Sequence, residues 1–389
     1  MARATERFDV VIVGAGPAGS AAAYTVARAG LSVALLDKAR FPRQKLCGGL
    51  FSGRSAQYLR EIFEVDLPPE MAIERREIAF SFAGRAAGHL RDVPVMALTM
   101  RWDLDVFLFE RAVDAGALDM TGQAVVALDP AARQVTLRDG RCVQAGVLIG
   151  ADGANSQVAK ALFGAAFNRD TIGFGLEIEA PGATELGAPV EIDLGAAVWG
   201  YGWRFPKAGS TTIGVGGLLS ENPQMKQEMA DFLGQSGVEA AEADIKGAFL
   251  PWGDFRRVPG QGAVLLVGDA AGLVDPITGE GIALAMKSGQ LAARAAVVSL
   301  DQPERALRHY KRALRPIHRS LRMANMIRPL ICSEMTARYV EQRFRTSSTL
   351  KRSFMELVSG DQEYSDILRA LILRAPRIAF GILRTRLSP

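Results

Sequence analysis

The apolar positions change rhythm along this chain, and each change predicts a different element. Val10 to Val13 form an unbroken apolar run, the pattern of a strand buried on both faces of a parallel sheet. Small residues follow through Ala29, predicting a helix with small side chains toward that sheet, closed by Gly30 as its C-cap. Leu31 to Leu36 read as a second strand ending at Asp37. Apolar runs in "VLIGADGANSQVAK" and at Ala263 to Val267 predict further buried strands, the latter leading to a helix through about Val298. From about 166 to 255 the pattern is that of strands: "GFGLEIEA", "PVEIDLGAAVWGYGWRFPK" and "STTIGVGGLL", with a helix near Gln224 to Leu233. Trp199, Tyr201, Trp203 and Phe205 alternate, so they are expected to project to one side together. Gly214, Gly216 and Gly217 read as strand or bulge glycines.

The last part of the chain is helical in period and rich in arginine from Arg305 to Arg328. In "DILRALILRAPRIAFGILRTRLSP", Ile367, Leu368, Leu371, Ile372 and Leu373 are interleaved with Arg369, Arg374, Arg377, Arg384 and Arg386. Pro376 is expected to break any single helix there. Two readings stand. A cationic amphipathic segment can lie in an anionic membrane surface, or a terminal helix can pack on its own domain with a solvated arginine face.

Composition narrows the class. The 389 residues are 49% hydrophobic and 23% charged, which fits a folded chain of two or three structural units. A net charge of +4 is too mild to argue for nucleic acid. It is unevenly spread: from Lys311 onward 16 Lys/Arg face 6 Asp/Glu, so the tail is near +10 and the remainder near −6. The cysteines, Cys47, Cys142 and Cys332, have no metal spacing and point to a reducing compartment without a disulfide framework. The histidines His89, His309 and His318 show no metal-binding pair, so no metal is expected. No signal-like segment and no apolar run long enough to span a bilayer is read in the chain. The expectation is a cytoplasmic protein able to touch the inner face of a membrane.

The chemistry begins at "VGAGPAGSAAA". Gly14, Gly16 and Gly19, with Pro17 and Ala18 between the last two, follow the G-x-G-x-x-G pattern after a strand. Gly14 permits the tight turn, Gly16 lets the backbone approach a pyrophosphate, and Gly19 lets helix and strand pack closely. Asp37 lies 18 residues beyond Gly19, where a carboxylate bonds an adenosine ribose. The pattern serves NAD and FAD alike.

Far downstream, "VGDAAGLVDPITGEGIALAM" sets Gly268 and Asp269 at a strand end, then Pro276, Gly279 and Gly281 before a helix. Here the chain resembles flavoproteins of the para-hydroxybenzoate hydroxylase fold. The resemblance implies FAD, with Asp269 on the ribityl chain. It places Pro276, Gly279, Gly281 and Ile282 beneath the isoalloxazine, whose reduced form suits a helix N-terminus. It also puts Asp152, before Gly153, near the pyrophosphate, Arg101 on the phosphate–ribityl side and Val125 at a backbone contact to adenine.

"YGWRFP" together with "KLCGGLFS" resembles the geranylgeranyl reductase family. That resemblance covers nearly the whole chain to about residue 330. It implies an α/β fold: a discontinuous Rossmann-like FAD-binding domain (1–75, 95–165, 256–300), an inserted antiparallel β-sheet substrate domain (76–94, 166–255) and a helical, basic C-terminal region (301–389). It implies reduction of C=C bonds in an isoprenoid chain, geranylgeranyl or polyprenyl, by hydride from reduced FAD. Tyr201, Trp203, Phe205 and Pro206 would meet that apolar substrate, and Cys47 and Gly48 would contact the flavin. Cys47 would donate a proton or position a water that does. The other readings are a small side chain that lets the ring sit close and a redox-regulatory thiol. No second G-x-G-x-x-G follows a strand, so electrons are expected from an external donor, either NAD(P)H or a reduced carrier protein. Rival chemistries on the same scaffold are a monooxygenase (hydroxylase or epoxidase) and a halogenase, the latter disfavoured because Tyr201 and Phe205 replace the outer positions of its Trp-x-Trp-x-Ile-Pro motif. A flavin electron-transfer protein is the rival from outside enzymes, and the aromatic strand argues against it.

Overall fold

A computed structural model describes residues 5–182, 187–238 and 245–387. The chain opens with β1 (Glu6–Val13), α1 (Pro17–Arg28), β2 (Val33–Asp37), β3 (Leu50–Phe51) and α2 (Gly53–Phe63). Next come β4 (Ala72–Arg75), β5 (Ile78–Phe82), β6 (Arg85–Leu90), β7 (Met96–Thr99) and α3 (Arg101–Asp114). They are followed by β8 (Leu118–Thr121), β9 (Val125–Asp129), β10 (Gln134–Leu137), β11 (Cys142–Gly150) and α4 (Gln157–Phe163). The middle holds β12 (Gly173–Pro181), β13 (Val190–Asp193), β14 (Tyr201–Pro206), β15 (Ser210–Leu218), α5 (Met225–Gln235) and β16 (Lys246–Leu250). Two short strands, β17 (Gly260–Gln261) and β18 (Val264–Leu266), precede α6 (Ile282–Val297). Helices complete the chain: α7 (Ala306–Ala313), α8 (Arg315–Cys332), α9 (Glu334–Thr346), α10 (Ser348–Ser359) and α11 (Tyr364–Leu387).

The first sheet has a parallel heart, β18-β11-β1-β2-β8, with β17 at one edge and the β9–β10 hairpin hung from β11. Val10, Val11 and Ile12 are fully buried at its centre, because α1 and α6 cover one of its faces with alanines such as Ala22, Ala23, Ala292 and Ala296. The second sheet, β16-β12-β15-β14-β13-β5-β6, is antiparallel except where β13 runs alongside β5. One of its faces carries Leu176, Ile178, Ile213 and Val215 against Met225, Met229, Phe232 and Leu233 of α5. The other carries Ile78, Phe80, Ile192, Trp203 and Phe205, and Phe344, Met355 and Val358 of α9 and α10 pack over its β5–β13 end. A small sheet, β3-β7-β4, lies beside the loop that bears Cys47. The chain is thus mixed α/β with a discontinuous Rossmann-like unit, an inserted β-sheet and a helical C-terminus.

Two expectations are corrected. Trp199 does not share a face with the strand aromatics: it precedes β14, in the left-handed region at φ 53°. There its carbonyl accepts from Arg328 Nη2 at 3.0 Å and its ring lies under that guanidinium. Pro376 does not break the tail, since α11 runs through it over 24 residues. Proline removes one backbone donor, and the remaining bonds of a long helix hold the segment together when neighbouring helices support it. Ile367, Leu368 and Leu371 pack on α8, and Gly381 lets α11 approach Tyr339 of α9. Ser388, Pro389 and the side chains of Arg384 and Arg386 lie outside the described residues. Among the described residues no helix is long and apolar enough to cross a membrane.

Candidate active site

The C-terminal end of β1 meets the N-terminus of α1 in a turn that only glycine fits. Gly14 has φ +105°, and a Cβ there would collide with the carbonyl oxygen of Ala151. A Cβ at Gly19 would collide with the carbonyl oxygen of Gly14. At Gly16, the N-cap of α1, a Cβ would meet only the guanidinium of Arg43, at 3.4 Å. Helix α1 has Pro17 in its first turn, no side-chain cap and no acid there. Its free N–H groups and dipole therefore face outward, ready for an anion. Ala18 packs near Gly268, whose own Cβ would lie 3.1 Å from it.

Asp37, at the end of β2, accepts from Ala15 N–H through one oxygen and Ala39 N–H through the other, both at 3.0 Å. Arg43 lies between Asp37 (3.6 Å) and the buried Asp105 (3.2 Å). Arg101, opening α3, makes a two-pronged pair with Asp105 at 2.8 and 2.9 Å. Burial opposes the charge on Arg101, but Asp105 and Cys47 outweigh it, so its pKa rises and it stays cationic. Sequence reasoning missed Arg43. The signal was a cation in "FPRQK" just beyond the acid that ends β2.

The other expected cofactor residues are spread around this turn. Asp152 follows β11 and uses its oxygens to cap α4, accepting from Ser156 Oγ and from the N–H groups of Gln157 and Val158. Val125 starts β9, half-buried and away from the parallel heart. Asp269 sits in a 3₁₀ turn after β18 and borders a cavity of about 320 Å³ with Asn168, Arg256 and Gly272. A Cβ at Gly281 would lie 3.7 Å from an Asp269 oxygen. Gly281 is also the N-cap of α6, again without a side-chain cap or a first-turn acid, and Ile282 begins that helix. Two bare helix N-termini, a glycine cradle and an arginine over it fit a flavin dinucleotide.

The inner face of the second sheet approaches this unit through the Cys47 loop. Strand pairing aligns Trp203 with Gly214 and Gly214 with Glu177. The Trp203 indole lies across a floor of glycines: a Cβ at Gly214 would collide with it, and one at Gly216 or Gly175 would lie 3.4 or 3.6 Å away. This is why "TTIGVGGLLS" is glycine-rich. Gly48 rests on the aromatic row, and a Cβ there would be 2.7 Å from the Phe205 ring and 3.2 Å from Trp203 Nε1. Tyr201 reaches toward the segment before α6 and donates to the Thr278 carbonyl at 2.7 Å. The structure thus brings Cys47, Gly48, Tyr201, Trp203 and Phe205 together. Pro206 falls on the opposite side by strand alternation, and its carbonyl accepts from Arg75.

Two acids that sequence reasoning missed are buried here. Glu177 accepts the Cys47 N–H at 3.1 Å, and burial pushes its carboxyl up to about 7 against the opposing pull of Lys207. Glu280, inside the Pro276–Gly281 turn, accepts from Ser52 Oγ and lies 3.8 Å from Arg54. Burial pushes it up to about 7 as well. No motif announces either residue, because both depend on contacts across more than a hundred positions.

Comparison with known proteins gives the family. Residues 7–176 match the FAD binding domain family. The geranylgeranyl diphosphate reductase of Rhodobacter capsulatus is 34% identical over 313 residues, 76% of each chain. The chain belongs to the geranylgeranyl reductase family of FAD-dependent oxidoreductases. The menaquinone reductase of Mycolicibacterium smegmatis is 33% identical, over 74% of this chain and 76% of that one. The crystal structure of a geranylgeranyl bacteriochlorophyll reductase-like protein from Thermoplasma acidophilum superposes with a TM-score of 0.75 at 21% identity, covering 95% of this chain and 99% of that one. This member of the geranylgeranyl reductase family is accordingly an FAD-dependent enzyme, and its two uncapped helix N-termini flank the site described above.

Proposed function

We propose that this enzyme saturates C=C bonds of an isoprenoid chain, geranylgeranyl or polyprenyl, in a pocket bordered by the Cys47–Gly48 loop and the Tyr201–Trp203–Phe205 face. The observation that carries the reading is the packing of Gly48 on Trp203 and Phe205. It joins the expected flavin-contacting loop to a wall of aromatic rings, which offers large apolar contact at small entropic cost. Bound FAD, once reduced by an external donor such as NAD(P)H or a carrier protein, supplies the hydride. The chain's own residues do the rest. Gly14, Gly16, Pro17, Ala18 and Gly19 cradle the pyrophosphate, with Arg43 as a counter-charge. Asp37 holds the adenosine ribose, Arg101 and Asp152 flank the phosphates, and Val125 backs the adenine. Asp269 takes the ribityl chain, and Pro276, Gly279, Gly281 and Ile282 present the N-terminus of α6 to the ring's pyrimidine edge. Cys47 and Gly48 set the spacing between ring and substrate. In this reading residues 1–75, 95–165 and 256–300 bind FAD, 76–94 and 166–255 bind the substrate, and 301–389 form the basic C-terminal region.

The test is anaerobic. The holoenzyme is reduced with dithionite and given a geranylgeranyl lipid while flavin absorbance and product mass are followed. Reoxidation without oxygen, with product heavier by two hydrogens, is the expected result. Lipid left unchanged until oxygen enters, and then hydroxylated, would overturn it in favour of the monooxygenase.

A substrate dissolved in a bilayer gives the tail a use. Ile372, Leu373, Phe380 and Leu383 of α11 are 57 to 84% exposed, with exposed Arg374 and Arg377 among them. We read this face as one that docks on the anionic inner surface of a membrane. The enzyme is expected to sediment with vesicles containing anionic lipid and to lose that binding in L373E/F380E. Equal binding by the variant would remove the face from the interaction.

A further inference from the structure

Glu177 stands in the middle of β12 and is 6% exposed. Its Oε1 accepts the Cys47 N–H at 3.1 Å. Its Oε2 is buried, and beside it lies the indole N–H of Trp203, which has no other partner among the described residues. A carboxylate this deeply buried is costly even beside two N–H groups, whereas a carboxylic acid in the same place is not. The charged groups around it are few. Lys207, 5% exposed, lies 3.7 Å from Glu179, which is two residues along the same face of β12. Glu179 also accepts from Ser210 and Thr212 and is partly open to solvent. Lys246, paired with Glu177 on β16, directs its ammonium to Gln44. Cys47 faces Glu177 through its backbone, and its sulfur accepts from Gly49 N–H.

We propose that Glu177 is the acid that protonates the substrate alkene, its Oε2 carrying the proton into the pocket beside Trp203 and Cys47. The assignment rests on the reductase reading above. One alkene carbon receives a hydride from reduced FAD. The π pair forms a C–H bond at the other carbon with the carboxylic proton. The O–H bond breaks and its electrons stay on Glu177 as carboxylate, stabilised by Lys207 and the Cys47 N–H. Glu179 and Lys207 mark the route by which a solvent proton returns. Such an acid is useful when its pKa lies near the working pH, and burial pushes Glu177 there.

E177Q keeps an acceptor for the Cys47 N–H but has no proton to give. The holoenzyme variant is expected to retain FAD and to lose roughly 100-fold or more in kcat for a geranylgeranyl lipid. Wild-type kcat is expected to fall above about pH 7, while the residual rate of E177Q stays flat. A readout without turnover is the infrared difference between holoenzyme at pH 6 and pH 8, taken in an E280Q background to remove the other high-pKa acid. The band of a protonated carboxyl should be present there and vanish when E177Q is added. An E177Q enzyme as fast as wild type, or a carboxyl band that survives the substitution, overturns the proposal. Should E177Q fail to fold, a wild-type rate that does not fall above pH 7 does the same. A wild type that leaves the lipid untouched fails the reductase reading itself. An active wild type with an equally active E177Q fails only the role of Glu177.

Discussion

The parallel sheet and the antiparallel sheet treat their acids differently. Around the nucleotide turn, Asp37 at the end of β2 and Asp105 in α3 have both oxygens engaged, by the N–H groups of Ala15 and Ala39 in one case and by Arg101 in the other. On the inner face of the antiparallel sheet, Glu177 has only the Cys47 and Trp203 N–H groups beside it, and burial lifts its pKa to about 7. Glu280, in the segment that Tyr201 ties to the second sheet, shares that shift. Fully bonded carboxylates hold fixed geometry, which suits a nucleotide cradle. Acids near neutrality exchange protons, which suits the place where a substrate is transformed.

The most severe way to test this separation is Gly19→Ala. Its Cβ would strike the Gly14 carbonyl at the crossing of α1 and β1. Backbone must move there, at a cost of about 3 kcal/mol, and FAD should be lost. Thermal unfolding and the flavin absorbance of the purified protein report both. Gly214→Ala is the counterpart on the other sheet, where the new methyl would displace the Trp203 indole. We expect about 2 kcal/mol of destabilisation and impaired turnover, with FAD retained. Loss of FAD from both variants alike would break the comparison.

The difference is also measurable without changing the substrate. A glutamate whose folded pKa is raised binds its proton more tightly in the folded state than in the unfolded one. Its contribution to stability is therefore full below the unfolded value near 4.5 and is lost as pH rises through about 7. Each group should lower the unfolding free energy by up to about 1.4 kcal/mol per pH unit across that interval. Urea unfolding of wild type, E177Q and E280Q from pH 4.5 to 8 should show a smaller decline in each variant. An unchanged slope in E177Q would mean that Glu177 ionises in the folded protein as it does in the chain.

The same contrast explains what could be read from residue order. The nucleotide cradle is local: strand, glycines, helix and acid lie within Val10 to Asp37, so spacing alone exposes it. The aromatic strand is visible through its alternation, although Trp199, which precedes β14, shows that alternation ends where the strand does, and Pro206, inside β14, faces away by that same alternation. Arg43 and Glu177 were not visible. Arg43 acquires meaning only when Asp105 folds beneath it, and Glu177 only when Cys47, 130 positions away, donates to it. The glycines of β15 were read as strand glycines, but the need for them, room for an indole from the neighbouring strand, is a tertiary fact. Pro376 does not end α11 because helix-breaking is a local tendency that packing on α8 and α9 overrides.

The smallest expected effect concerns the strap between the two regions. Tyr201 stands on the second sheet, and its hydroxyl donates to the Thr278 carbonyl, within the segment that leads into α6. Its ring meets Trp252 edge-on at 5.3 Å. Tyr201→Phe keeps that ring contact and removes one hydrogen bond, which is worth about 1 kcal/mol. The hydroxyl also sits 2.5 Å from where a Gly279 Cβ would be, so its removal opens space beside the flavin turn rather than crowding it. If the cradle and the pocket are built separately, the variant should unfold about 1 kcal/mol earlier and weaken FAD binding by less than tenfold, since tenfold is about 1.4 kcal/mol. A hundredfold loss of FAD affinity would require the hydroxyl to order the whole Pro276–Gly281 turn. The antiparallel sheet would then be part of the nucleotide site and not only a wall placed over it.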